Sequence, residues 1–246
     1  EWNALKLLNE RGEFLSGGDG TELLGIAEAE DFNYAHLDAY GSYVHDDSWG
    51  SIHIEQVLAL DLVDREAIKA ADFTVAIDCV NSVGGIIVPA LLKSLGVSRI
   101  IELNTTPDGH FAHNPEPLEE NLSGIMKAIT ELKADVGFVV DPDVDRLAVI
   151  CEDGSMFGEE YTLVAVADFV LGHNPGSTVS NLSSTRALKD ITIKHGCTYY
   201  SSAVGEVNVV EEMKLRGSVI GGEGNGGVIY PALHYGRDAL AGIALF

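Results

Sequence analysis

Phe73-Thr-Val-Ala-Ile-Asp-Cys-Val-Asn-Ser-Val-Gly-Gly-Ile-Ile-Val-Pro-Ala-Leu-Leu-Lys-Ser-Leu-Gly96 reads as a β-rich run, an Asn-containing turn, a helix with apolar residues at three-and-four spacing, and a glycine stop. The same order returns in Thr178-Val-Ser-Asn-Leu-Ser-Ser-Thr-Arg-Ala-Leu-Lys-Asp-Ile-Thr-Ile-Lys-His-Gly196. Shared order counts for more here than the few identities. Around these two stretches lie further strand candidates, Arg99–Leu103, Val136–Val140, Leu147–Cys151, Thr198–Ser202 and Ser218–Ile220. Between them run helical candidates: Ile52–Ala70, Ile86–Leu95, Leu118–Lys133, Tyr161–Leu171, Thr185–His195 and Val207–Arg216, with Gly96, Gly172, Gly196 and Gly217 as stops. Strands alternating with helices indicate α/β layers. The repeat predicts two similar α/β domains in tandem, joined near Glu152 to Glu159, where Asp153-Gly154 marks a turn. One continuous doubly wound sheet is the competing topology.

Both ends read as mid-element. Trp2, Leu5 and Leu8 recur at helical spacing with no capping residue ahead, and Asp238 to Phe246 reads as a helix without a stop signal. The expectation is a piece of a larger protein.

Composition narrows the function classes. Fifteen basic against 38 acidic residues give a formal charge of −23, which repels polyanions and argues against nucleic acid as a partner. Three scattered cysteines, Cys79, Cys151 and Cys197, form neither a CxxC pair nor a disulfide framework, so a reducing cytoplasm is expected. No apolar run approaches a membrane span, and the acidic N-terminus does not fit a signal peptide.

The strongest chemical signal is Asp141-Pro-Asp-Val-Asp-Arg146 between two strand-like runs. Three carboxylates at alternate positions repel one another unless a cation neutralises them, and a hard divalent cation takes all-oxygen ligands of this kind. Pro142 helps stop the strand so that the carboxylates can converge, and Arg146 adds a fixed positive charge suited to a phosphoryl group. A solvated acidic turn would look similar. An EF-hand competes, since Glu152 falls at the twelfth position, but Arg146 stands where that loop needs glycine. A phosphatase of the haloacid dehalogenase type, with Asp141 as nucleophile and Asp143 as acid/base, is a third competitor.

The second signal is Gly221-Gly-Glu-Gly-Asn-Gly-Gly227, five glycines around one acid and one amide. Such a backbone can approach a ligand closely while Glu223 and Asn225 project toward sugar hydroxyls. It lacks the GxGxxG order and the GKS or GKT of nucleotide loops.

Together the two signals resemble the α-D-phosphohexomutases, the superfamily of phosphoglucomutase, phosphomannomutase and phosphoglucosamine mutase. Further stretches agree: Asp78-Cys-Val-Asn-Ser-Val-Gly-Gly85, Pro107-Asp-Gly-His-Phe111 with Pro115-Glu-Pro117, Asn181-Leu-Ser-Ser-Thr-Arg186, and Val204-Gly-Glu-Val207. The resemblance implies tandem three-layer α/β domains with mixed sheets: residues 1–50 as the remnant of a first domain, 51–153 as a second with the metal loop, and 154–246 as a third, truncated one with the sugar loop. It implies Mg2+ at Asp141, Asp143 and Asp145, a phosphate steadied by Arg146, ring hydroxyls on Glu223 and Asn225, and a further substrate-facing loop at Gly205 and Glu206. Lys6 matches a lysine that assists proton transfer at the phosphoryl site. Hexose phosphates and a hexose 1,6-bisphosphate are the implied partners, with phosphoryl transfer through a phosphoserine that precedes Glu1, so the chain by itself is expected to be inactive. A metal- and sugar-phosphate-binding module without catalysis is the alternative. In many members the sugar loop ends in a histidine where Gly227 stands, and His234 is a candidate replacement, or else a surface histidine.

Overall fold

The structure, a computed structural model, describes residues 6–246. Of the expected entry helix, Trp2 and Leu5 lie outside the described residues, and Leu8 pairs with Phe14 in an isolated antiparallel bridge. The chain forms two compact units, the residues up to Trp49 and Gly50–Phe246. In the first, α1 (Gly17–Glu28) opens on a capping box in which Ser16 accepts from the Asp19 amide and Asp19 accepts from the Ser16 amide. No residue of α1 is buried.

The second unit holds the repeat. The single helix expected over Ile52–Ala70 is two, α2 (Trp49–Leu58) and α3 (Arg65–Ala71). Asp64 makes the break, because its side chain accepts from the Ala67 amide and starts a new helix. Then follow β1 (Thr74–Asp78), α4 (Gly84–Leu95), β2 (Arg99–Leu103), α5 (Ser123–Leu132), β3 (Val136–Val140) and β4 (Leu147–Cys151). After α6 (Glu159–His173) the order repeats with β5 (Thr178–Asn181), α7 (Ala187–Lys194), β6 (Tyr199–Ser202), α8 (Glu206–Arg216), β7 (Ile220–Glu223) and β8 (Gly227–Ile229), and α9 (Ala239–Leu245) closes the chain.

Two separate four-stranded sheets result, ordered β2-β1-β3-β4 and β6-β5-β7-β8. In each, the first strand is parallel to both neighbours and the last is antiparallel, so the sheets are mixed and share one topology. The continuous doubly wound sheet is thereby excluded. Gly172, expected as a stop, lies inside α6. Gly96 and Gly217 do end their helices, each in the left-handed conformation that glycine adopts without strain.

Alternation along the strands sorts side chains into layers. Val75, Ile77, Phe138, Val140, Leu147 and Val149 face one way and pack with Val88, Leu91, Leu92 and Leu95 of α4. Ala76, Val139, Ala148 and Ile150 face the other way, onto Ile125 and Ile129 of α5. The second sheet divides alike, with Val179 and Ile229 on Val209, Val210 and Met213 of α8. Its opposite face adds Ile220 and Val228 to the core that already holds α4, together with Leu163 and Val166 of α6 and Ile243 of α9. Each fully buried leucine of that shared core contributes about 1.5–3 kcal/mol. Both strand-to-strand turns of interest, β3–β4 and β7–β8, are thus anchored on one packed body. Among the described residues no helix is long and apolar enough to cross a membrane.

Candidate active site

The turn between β3 and β4 carries the acidic triplet. Buried Val144 sits at φ 62°, a conformation that costs a β-branched residue energy, and its carbonyl accepts from the Ala239 amide at the start of α9 at 3.1 Å. Asp141 is buried, Asp145 half-buried and Asp143 exposed. Their carboxylate oxygens nevertheless lie within 4.8 Å of one another.

Asp141 is pinned from three directions. One oxygen accepts from the Asp145 and Arg146 amides at 3.0 and 3.1 Å, and the other from Arg146 Nε at 2.7 Å. Burial and the neighbouring Asp145 charge still push its pKa up to about 7, against the opposing pull of Arg146. The EF-hand reading fails, since strands flank the turn. The donor set fits a hard divalent cation: three carboxylates and no nitrogen or sulfur, with oxygens within 4.8 Å of one another. Arg146 also reaches Glu116 of the Pro115-Glu-Pro117 stretch, at 2.6 Å through Nη1 and 3.4 Å through Nη2.

The glycine-rich loop joins β7 to β8 and lies directly on this turn. The Leu147 amide donates to the Gly226 carbonyl at 3.0 Å, and Arg146 forms an isolated bridge with Gly227. A Cβ on Gly226 would stand 2.4 Å from the Leu147 carbonyl oxygen, so glycine there serves the approach of one loop to the other. β8 was not among the expected strands, and β7 begins two residues later than the Ser218 start read from the sequence.

Glu223 is buried, with one oxygen accepting from Asn181 Nδ2 at 2.7 Å and the other from Arg237 Nη1 at 2.8 Å. Asn181 is itself held by the Ser183 and Ser184 hydroxyls. Asn225 Oδ1 accepts from the Gly227 amide at 3.2 Å. Gly205, at φ 111°, immediately precedes α8, whose first residue Glu206 contacts Arg237 through both carboxylate oxygens: Nε at 3.0 Å and the backbone amide at 3.1 Å. Burial raises the Glu206 pKa, partly countered by the Arg237 charge. Arg237 Nη2 in turn reaches Asp145 at 2.6 Å.

Of the residues singled out from the sequence, Asp141, Asp145, Arg146, Glu206 and Glu223 therefore meet in one charged network, with Asp143 beside it. Lys6 lies in the first unit, 5.9 Å from the centre of the Phe14 ring. His234 Nε2 donates to Asp238 at 2.9 Å, alongside His53 Nε2 at 2.7 Å. Arg237, Glu116 and Asn181 were not picked out as functional groups, although Glu116 and Asn181 lie inside stretches that carry the family resemblance.

Residues 51–154 match a family model described as phosphoglucomutase/phosphomannomutase, alpha/beta/alpha domain II, and residues 158–246 match the corresponding domain III. A phosphoglucomutase/phosphomannomutase of Thermococcus kodakarensis is 36% identical over 97% of this chain and 52% of its own length. A probable phosphoglucosamine mutase of Methanopyrus kandleri is 30% identical over the same shares, 97% and 52%. The chain spans about half the length of these relatives. Among solved structures, a phosphoglucomutase/phosphomannomutase family protein from Burkholderia thailandensis superposes with a TM-score of 0.77 at 26% identity, over 94% of this chain and 48% of that one.

Proposed function

The chain belongs to the phosphoglucomutase/phosphomannomutase family, whose second and third domains it carries, and from that premise we propose that it is the metal- and sugar-binding part of a phosphohexomutase. The reaction is the interconversion of hexose 1- and 6-phosphates, of glucosamine, mannose or glucose, by way of a phosphoserine and a hexose 1,6-bisphosphate. The observation that carries this reading is the clasp between two loops: Leu147 N bonded to Gly226 O, and Arg237 joining Asp145 to Glu223. Asp141, Asp143 and Asp145 would hold Mg2+, which when bound supplies positive charge to a transferring phosphoryl group.

The chain's own groups do the rest. Arg146, fixed by Asp141 and Glu116, presents its guanidinium at the edge of the metal turn and steadies a phosphate there. Glu223 and Asn225 take ring hydroxyls: each Glu223 oxygen accepts from one side chain and keeps a second lone pair for a hydroxyl proton. Gly205 and Glu206 line the neighbouring loop. Hydroxyls read in both orientations of the bisphosphate would let it turn over without losing its hold. The phosphoserine lies outside this sequence, so the 246 residues alone are inactive.

A coupled assay of the full-length protein tests the proposal, with glucose, mannose and glucosamine 1-phosphates as substrates. Turnover of at least one by the full-length protein and none by the 246-residue chain is the expected result. Glu223→Ala in the full-length protein should lower kcat/KM by about tenfold or more, one charge-assisted hydrogen bond being worth about 1.5–3 kcal/mol. No turnover of any of the three, or full activity in the isolated chain, would defeat it.

A further inference from the structure

Gly227 has no side chain, and Arg237 uses the room. A Cβ on Gly227 would stand 2.4 Å from Arg237 Cδ and 3.0 Å from its Cγ. From there the guanidinium reaches three carboxylates on three separate segments, the β3–β4 turn, the start of α8 and the end of β7: Nη2 to Asp145 at 2.6 Å, Nε to Glu206 at 3.0 Å and Nη1 to Glu223 at 2.8 Å. Only 15% of its side chain is exposed, and the three acids are 14%, 10% and 7% exposed. Three acids at this depth repel one another unless a shared cation holds them. A planar guanidinium can hydrogen-bond Asp145 and Glu223 through its two Nη groups and still set its Nε edge in ion-pair contact with Glu206, whereas a point charge cannot.

We propose that Arg237 is the positioning residue that locks the sugar-binding loops onto the metal-binding turn, so that the two ligand sites form as one. The inference rests on the mutase reading for the identity of the two ligands, and on the geometry for their linkage. It has a signature of opposite signs. Without the guanidinium, Glu206 and Glu223 lose their common anchor and the sugar site loosens. Asp145, relieved of a competing cation, becomes the better ligand for a metal ion. A residue that merely stabilised the fold would weaken both sites together when removed.

The test is calorimetric, on the full-length protein, with Mg2+ alone and with glucose 1,6-bisphosphate at saturating Mg2+. Arg237→Met should bind the bisphosphate at least about tenfold more weakly, on the scale of one lost charge-assisted bond, while binding Mg2+ alone as tightly as the parent or more so. Arg237→Lys should recover little of the sugar-phosphate affinity. Gly227→Ala should reproduce the pattern by displacing the arginine side chain, and should add little to Arg237→Met in the double variant. Bisphosphate affinity unchanged in Arg237→Met, or Mg2+ and bisphosphate weakened in parallel, would overturn the inference while leaving the mutase reading intact. A parent protein that binds no bisphosphate would instead overturn the mutase reading, and this inference with it.

Discussion

Replacing Asp238 by alanine removes three kinds of support at once. Its Oδ1 caps α9, accepting from the Leu240 and Ala241 amides at 2.7 and 3.0 Å. A cap of this type is worth about 0.5–2 kcal/mol. Its Oδ2 receives His53 Nε2 at 2.7 Å and His234 Nε2 at 2.9 Å. His53, 28% exposed, contributes most of the charge-assisted term, at about 1.5 kcal/mol, while His234, 42% exposed, is discounted for solvent to well under about 1 kcal/mol. The total is about 3 kcal/mol, or a fall of about 6–12 °C in Tm for a chain of this size. Asp238→Asn keeps the cap acceptor and should lose only the histidine part, about 1–2 kcal/mol. The pH dependence has a fixed sign. The His53 pKa is raised above its ordinary 6.5, chiefly by the bond to Asp238 and against the effect of burial, so its contribution is full below 6.5 and disappears as pH rises through the raised value. Although burial alone would raise the Asp238 pKa, the two histidine bonds hold it below its ordinary 3.8, so its contribution is full above 3.8 and is lost as pH falls through the lowered value. Urea denaturation followed by circular dichroism should therefore show the largest gap between parent and Asp238→Ala between about pH 4 and 6.5, shrinking toward pH 9. An equal gap at pH 5.5 and 9 would refute the electrostatic part, and equal losses for Ala and Asn would refute the division between cap and charge.

Two further outcomes follow from single positions. Asp143 is the exposed member of the acidic triplet, so Asp143→Asn should leave stability within about 0.5 kcal/mol of the parent while weakening Mg2+ binding several-fold or more, both measured by titration and urea melts on the same preparation. At Gly85 an added Cβ would stand 2.1 Å from the Thr105 carbonyl oxygen, a backbone atom that no rotamer change can move; Gly85→Ala should cost at least about 1–3 kcal/mol in urea denaturation, and a neutral result would contradict the packing of α4 against the chain after β2.

The fold was legible where a signal is local and periodic. Thr74–Asp78 and Thr178–Asn181 announce themselves as short β-rich runs before an Asn turn and a helix, and that order survives intact in both sheets. β8 was not, because Gly227-Val-Ile229 is only three residues long and emerges from a glycine run that reads as loop. The break between α2 and α3 was hidden by apolar residues that keep helical spacing through Ile54, Val57, Leu58 and Leu62, so that only the Asp64 cap reveals it. The site divides on the same principle. Asp141, Asp143 and Asp145 are neighbours in sequence and can be read as a cluster directly. Arg237 meets Asp145 across 92 positions and Arg146 meets Glu116 across 30, and no pattern within a short window carries information about such pairs.

These long-range pairs decide the electrostatic character of the site. Asp141, Asp143, Asp145, Glu116, Glu206 and Glu223 bring six carboxylates around two guanidiniums, Arg146 and Arg237, a formal balance of six against two that leaves four negative charges. The whole chain, at −23, reinforces that field. A hexose phosphate approaching such a surface is repelled, whereas a divalent cation is drawn in. Both arginines are already committed to carboxylates, so neither offers an uncompensated positive charge to an anion. If the proposed function holds, this balance favours binding of the cation first and the sugar phosphate second. A cation held by Asp141, Asp143 and Asp145 would lower the local negative charge and weaken the hold of Asp141 on Arg146. On the proposed reading Arg146 would then turn part of its charge to a phosphate, while Arg237 keeps Asp145 joined to Glu206 and Glu223. An acidic protein can in this way be built to receive an anionic ligand.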